Sequence, residues 1–187
     1  MVATKTLQLF ARLGYNKVSF QDIAKATGVP RTAIYRYYHT KRDIFDATII
    51  EEILKIRQAI SKIVGEQLTA SERLEKVCFL IADRLHEQRD FIKVIFNFVF
   101  AMIECGEDMS GKVQSFTSGL KKTFRELIDE GVEDGSIRAQ SDAELISEML
   151  FSIVESSALK MLVGIETDSA SAKCRMGAVI DVIVCRP

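Results

Sequence analysis

The sequence predicts an all-α protein of about nine helices, with a three-helix N-terminal module followed by a C-terminal helical bundle. Three observations support this prediction. The chain has only 2 Pro and 10 Gly in 187 residues, too few turn residues for an all-β protein. Apolar residues recur at the three-to-four-residue spacing of helices. Patterns that cap helix N-termini, Ser or Thr followed three residues later by an acidic residue, recur along the chain.

The first three predicted helices are short and closely spaced. The first carries an apolar face and ends at Gly14, a residue that readily adopts the left-handed conformation found after helices. The second begins at a capping box formed by Ser19 and Asp22 and ends at Gly28. Pro30 suits the first turn of the third, where its missing N–H would have no partner. Two short helices joined by a tight turn are typical of the helix-turn-helix motif, whose second helix enters the DNA major groove.

Six longer helices are predicted to follow. Capping patterns mark several of their starts, and apolar faces mark their lengths. The predicted spans are Thr40–Ile63, Thr69–Leu85, Asp90–Met102, Lys112–Ile128 (closing at Gly131 and Gly135), Asp142–Leu162 and Ser169–Val184. We divide the chain into residues 1–46, called the head, and residues 47–187, called the body.

Charge is distributed unevenly along the chain. Residues 1–48 contain eight positive and three negative side chains, a net charge of +5, whereas the remainder has a net charge of −6. All four tyrosines also lie in this basic part. A basic, tyrosine-rich segment on an acidic body predicts contact with a polyanion through the head alone.

Composition excludes several classes of protein. A hydrophobic content of 48% with 27% charged residues is that of a globular protein rather than a disordered one. The start of the chain lacks the pattern of a signal segment, and the most apolar stretch, residues 94–103, is too short to span a bilayer. The four cysteines lack metal-ligand spacing, which favours reduced thiols. We therefore expect a cytoplasmic protein with no membrane partner.

The head resembles a known family. Between Phe10 and Phe45 it contains Gly-Val at the turn (28–29), Tyr-x-Tyr-Tyr at 35–38 and Thr-Lys at 40–41. This pattern resembles the DNA-binding module of the tetracycline-repressor-like (TetR) family. The resemblance implies that base edges are contacted by Gln21, Arg31, Thr32, Ala33 and Arg36, and phosphates by Ser19, Tyr37 and Lys41. Independently, an arginine can pair bidentately with guanine, and the N–H groups at a helix start favour an anion.

The resemblance also implies that the head, residues 1–46, is the DNA-binding domain, and that residues 47–187 form an all-helical ligand-binding and dimerisation domain that holds a small effector. The last two helices are apolar enough to form a four-helix interface with those of a twin, although burial within one subunit is the alternative. A phenylalanine-rich segment is the candidate pocket for an apolar or aromatic ligand, with an ordinary core as the alternative. The candidate lining residues are Phe91, Ile95, Phe96, Phe98, Met102 and Phe116.

These observations predict a homodimeric transcriptional regulator, most often a repressor, that binds a palindromic DNA operator and is released by an unknown small-molecule effector. One alternative is a family member whose body responds to a protein partner. The other is an all-α enzyme, which the absence of H-E-x-x-H, P-loop and G-x-S-x-G motifs disfavours. We expect no catalytic residue, cofactor or metal.

Overall fold

The computed structural model describes residues 2–185, apart from the side chains of Val2 and Phe116, and these residues form nine α-helices and no strand. The predicted fold class is confirmed. The helices are α1 (Val2–Leu13), α2 (Phe20–Thr27), α3 (Arg31–Tyr37), α4 (Lys41–Val64), α5 (Ala70–Glu87), α6 (Arg89–Glu104), α7 (Ser110–Glu133), α8 (Ala143–Leu162) and α9 (Ala170–Ile183). None of the described helices has the length and apolar character needed to cross a bilayer.

The chain divides into two compact units that are not continuous in sequence. The first unit contains the described residues through Gln58 together with Asp90–Met109, and the second contains Ala59–Arg89 and the described residues from Ser110 onward. Helix α4 contributes residues to both units, and α6 belongs with the N-terminal helices. The division by function into residues 1–46 and 47–187 stays a prediction, and this geometric division follows different boundaries.

An aromatic cluster lies in the core of the first unit. The ring centroids of Phe45 and Phe98 are 4.3 Å apart and stacked, and Tyr15 meets Phe98 edge-on at 4.9 Å. Phe10 meets Phe45 edge-on at 5.3 Å. These rings come from α1, the loop after it, α4 and α6, so a single aromatic cluster joins α1, α4 and α6.

In the second unit, α5 packs against α7, α8 and α9. The core contains apolar side chains from these helices, including Leu74, Val77, Cys78, Phe124, Leu127, Ile128, Leu150, Met161, Met176 and Ile180. An isolated antiparallel bridge joins Ile137 to Val184.

Two helix boundaries differ from those predicted. Asp90 was expected to cap α6 but lies within its first turn, since the helix begins at Arg89. Helix α7, predicted over Lys112–Ile128 with its close at Gly131 and Gly135, spans Ser110–Glu133 and so continues past Gly131 and ends before Gly135. At Gly131 a Cβ atom would lie 2.6 Å from Cδ1 of Ile137, so this glycine permits the close approach of a core side chain and does not end the helix.

Candidate nucleic-acid interface

A tight turn sets α3 against α2. Gly28 has φ +77° and ψ 8°, and its N–H donates to the carbonyl of Ala24. The hydroxyl of Thr27 donates to the carbonyl of Ile23 at 2.7 Å and accepts from the N–H of Val29 at 3.3 Å. A left-handed glycine and a buried threonine thus reverse the chain within a few residues, as the sequence predicted for a helix-turn-helix.

Helix α3 buries one face and exposes the other. Ile34 is buried and Tyr38, which follows the helix, packs against the same core. Arg31, Thr32, Arg36 and Tyr37 are exposed, and Ala33 is half-buried. Among the residues that the structure describes, neither Arg31 nor Arg36 forms an ion pair with a carboxylate. The polar face of the helix is therefore available to another molecule.

The N-terminus of α2 is capped as predicted. The Ser19 hydroxyl accepts from the N–H of Asp22 at 3.2 Å, and the Asp22 carboxylate accepts from the Ser19 N–H at 2.9 Å. The carboxylate also accepts from the Ser19 hydroxyl at 2.6 Å. The hydrogen bond from the Ser19 side chain, followed by the one from its backbone, lowers the pKa of Asp22. A phosphate that uses this hydroxyl must therefore compete with Asp22 for its proton.

Lys41 lies at the start of α4 and has partners in the first unit. Its ammonium group donates to the carbonyl of Asn16 at 3.1 Å and lies 4.6 Å from the ring centroid of Tyr15. Partial burial lowers its pKa. The predicted phosphate-contacting lysine thus also ties α4 to the loop between α1 and α2. Asp43 accepts from the N–H groups of His39 and Thr40, which caps this end of α4.

A shallow hollow brings several predicted residues together. It has a volume of about 320 Å³ and is lined by Val18, Ser19, Phe20, Gln21, Arg31, Tyr35 and Lys41. The first N–H groups of a helix have no intrahelical acceptor, and those at the start of α2 lie beside the hollow. Such a site, with a lysine and an arginine in its wall, favours an anion. Tyr37 and Arg36 are not in this lining.

Tyr35 lines the hollow but is not among the predicted DNA-contacting residues. Its ring stacks on Phe20 with centroids 4.2 Å apart and planes 9° apart, and its hydroxyl accepts from Nη2 of Arg31 at 3.1 Å. The four-residue spacing of Arg31 and Tyr35 on one helix was a signal that could have predicted their contact. The stack on Phe20 joins two helices, and no spacing in the sequence indicates it.

The predicted effector-pocket residues that belong to α6 lie in the first unit. Phe91, Phe98 and Met102 belong to its hydrophobic core, and Ile95 packs against that core. Phe96 is half-buried and lies 6.2 Å from Phe100 by ring centroids. The side chain of Phe116 lies outside the described residues. Phe98 therefore has a packing role, and the pocket stays a prediction.

The surface formed by α2 and α3 matches what a helix-turn-helix protein presents to duplex DNA. Its basic side chains are exposed, and hydrogen bonds hold the turn and the cap that position them. No cluster of three or more metal-ligating side chains occurs in the described part of the chain. Fold and surface together define a DNA-binding transcriptional regulator.

Comparison with known proteins identifies the family. Residues 4–48 match the family model described as bacterial regulatory proteins, tetR family. These residues contain the predicted helix-turn-helix, so the N-terminal part of the chain has the DNA-binding module of the TetR family of transcriptional regulators. The predicted resemblance of the head to the TetR family is confirmed.

Three similar proteins carry names that describe their roles. The chain is 22% identical to the fatty acid metabolism regulator protein of Bacillus subtilis (strain 168) over 149 residues, which are 80% of this chain and 75% of that protein. It is 24% identical to the HTH-type transcriptional repressor DhaR of Mycobacterium sp. (strain GP1) over 159 residues, 84% of this chain and 78% of the repressor. The crystal structure of Bacillus subtilis FadR in complex with stearoyl-CoA superposes with a TM-score of 0.73 at 20% identity, covering 98% of this chain and 96% of that one.

Proposed function

We propose that the protein is a cytoplasmic repressor that binds a palindromic operator as a homodimer and is released by an effector with a long apolar acyl chain. One observation carries the DNA-binding part of this proposal. The polar face of α3 is exposed and its arginines form no ion pair with described carboxylates, while a capped helix and a left-handed turn fix its position.

Within this proposal, Arg31, Thr32, Ala33, Arg36 and Gln21 meet base edges. Arg31 has the planar group that pairs bidentately with guanine. Ser19, Tyr37 and Lys41 contact phosphates, and these contacts set the register of the head on the duplex. In a dimer, two recognition helices about 34–36 Å apart would occupy successive major grooves on one side of the DNA.

Substitution of Arg31 tests the base contact. Arg31→Ala is expected to cost about 1–3 kcal/mol on the operator and to relax preference at one base pair. The matched control is Arg57→Ala, which removes an exposed arginine from α4 outside the proposed interface. Fluorescence anisotropy on duplexes selected from random DNA, and on unselected DNA, measures both effects. An equal loss on selected and unselected DNA would show that Arg31 contacts no base.

The proposed dimer uses an apolar surface on α8. Leu145, Met149 and Leu159 are apolar side chains on this helix that are 58%, 46% and 52% exposed. Water-exposed apolar residues at helical spacing favour a second copy of the chain as a partner, since a two-fold axis pairs the surface with itself. The last two helices were both predicted to form the interface, but Ile180 and Ile183 of α9 are buried in the protomer's own core.

A charge placed on α8 tests the dimer. Leu159→Glu is expected to yield monomers by light scattering and to weaken operator binding, because two linked heads bind far more tightly than one. Leu54→Glu is the matched control, since Leu54 is a leucine of α4 with 49% exposure against 52% for Leu159. If both variants remain dimeric, the interface does not include Leu159.

The proposed class of effector is supported by what similar proteins bind or regulate and by the contacts that α6 makes. One relative is named as a regulator of fatty acid metabolism, and FadR was solved with stearoyl-CoA bound. In this chain, Phe98 of α6 stacks on Phe45 of α4, and the guanidinium of Arg42 lies 4.4 Å from the Phe98 ring centroid. A ligand that displaced α6 would therefore shift the start of α4, beside the helix-turn-helix.

Release from DNA tests this class of effector. Stearoyl-CoA is expected to weaken operator binding about 5- to 150-fold, the usual range of allosteric coupling. Coenzyme A without an acyl chain is the control for the nucleotide part, and choline is the control for an unrelated small ligand. If neither stearoyl-CoA nor either control releases the protein from the operator, acyl-CoA is excluded as the effector, and the DNA-binding assignment stands.

A further inference from the structure

Arg31, the proposed guanine-contacting residue, is held by a neighbour on its own helix. Its guanidinium carbon lies 5.2 Å from the ring centroid of Tyr35, and its Nη2 donates to the Tyr35 hydroxyl at 3.1 Å. The two residues are one helical turn apart. The hydrogen bond and the ring together restrict an otherwise flexible side chain.

Tyr35 is held in turn by the other helix of the motif. Its ring lies parallel to that of Phe20, with centroids 4.2 Å and planes 9° apart. Phe20 is the first residue of α2, directly after the capping residue Ser19. The capped end of α2 therefore fixes Phe20, and Phe20 supports the ring to which Arg31 is bonded.

We propose that Tyr35 is a positioning residue for sequence discrimination, which orients the guanidinium of Arg31 for a base edge while resting on Phe20. This inference depends on the proposed role of Arg31 in contacting a base. The guanidinium has five N–H donors in a plane. One goes to the Tyr35 hydroxyl, so two others remain for the bidentate contact with guanine.

The energetic reason is preorganisation. A free arginine loses side-chain entropy when it is fixed against a base, and that loss reduces both affinity and discrimination. In this protein part of the restriction is present before DNA binds. Discrimination at the base pair contacted by Arg31 should therefore depend on the Tyr35 hydroxyl, although the hydroxyl contacts no base itself.

A double-mutant cycle tests this inference. The four proteins are the unmodified chain, Tyr35→Phe, Arg31→Ala and the double variant, and each is measured on the operator and on duplexes with single base-pair changes. Tyr35→Phe keeps the ring on Phe20 and removes only the hydroxyl. Tyr37→Phe makes the same chemical change at an exposed neighbour on α3 and serves as the matched control.

We expect Arg31→Ala to reduce discrimination at one base pair by about 5- to 150-fold and Tyr35→Phe to reduce it at the same base pair by about 2- to 5-fold. In the Arg31→Ala background, Tyr35→Phe should change discrimination no further. Tyr37→Phe should lower affinity for all duplexes alike, without changing base preference. Circular dichroism confirms that each variant retains its helices.

The outcomes separate the inference from the function on which it rests. If Arg31→Ala leaves base preference unchanged, the proposed base contact is wrong and the positioning role falls with it. If Arg31→Ala changes preference but Tyr35→Phe does not, only the positioning role is wrong. If Tyr35→Phe reduces discrimination equally with and without Arg31, Tyr35 acts on DNA directly and the inference is overturned.

Discussion

Replacing Gly28 by alanine isolates the backbone conformation on which the helix-turn-helix depends. A Cβ atom built on Gly28 meets nothing within 4 Å, so the substitution introduces no clash. The entire cost then comes from φ +77°, a conformation that costs residues with a Cβ roughly 1–2 kcal/mol. For a chain of this length, that loss lowers the unfolding temperature by about 2–8 °C. Gly28→Asn should cost less, because asparagine tolerates the left-handed region better.

Gly177→Ala provides a control of the same chemical size. Gly177 lies within α9, and a Cβ atom there also meets nothing within 4 Å. Its backbone is helical, where alanine is favoured over glycine by about 1 kcal/mol. The two substitutions therefore add the same atom to open space and should change stability in opposite directions.

Tyrosine fluorescence makes the measurement specific to the first unit. The chain has no tryptophan, and its four tyrosines are Tyr15, Tyr35, Tyr37 and Tyr38. Thermal unfolding followed by this signal reports on the helix-turn-helix, while far-ultraviolet circular dichroism reports on all helices. An unfolding temperature for Gly28→Ala equal to or above that of the parent would refute the left-handed turn.

Three further predictions concern pH, salt and packing. Asp22→Asn should flatten the loss of stability below about pH 4. The hydrogen bond from the Ser19 hydroxyl lowers the pKa of Asp22 from 3.8, so the stabilisation that this carboxylate provides is present above that pH and is lost on acidification. Denaturant midpoints from pH 5 to pH 2 measure the effect. Lys41→Met should weaken binding to every duplex and reduce the slope of log affinity against log salt concentration by about 1. Lys62→Met is the control and should change neither quantity. Anisotropy titrations at several salt concentrations measure both. Gly131→Ala should destabilise the protein by about 1–3 kcal/mol in denaturant unfolding. Adding Ile137→Val to that variant should recover part of the lost stability, because it removes the Cδ1 atom that lies 2.6 Å from the new Cβ. No recovery in the double variant would count against the contact.

The sequence alone determined the helix starts and the turn of the DNA-binding motif. The capping boxes at Ser19 and Thr69 and the left-handed Gly28 were all predicted and are present. Each depends on atoms no more than about four residues apart, so the residue types at fixed spacing specify the geometry. The exposed face of α3 followed from the same helical spacing, because Ile34 fixes which side is buried.

Only the tertiary structure decided which distant residues meet. It placed Phe98 of α6 against Tyr15 and Phe45 in the first unit, and it buried Ile180 in the core of the second. It also set Phe20 beneath Tyr35, on which the orientation of Arg31 depends. An apolar helix face indicates that its side chains are buried but not which surface of the protein covers them. The hydrophobic effect is non-directional, so an apolar side chain can pack against many different surfaces. The close packing of the whole chain determines which of these surfaces it contacts.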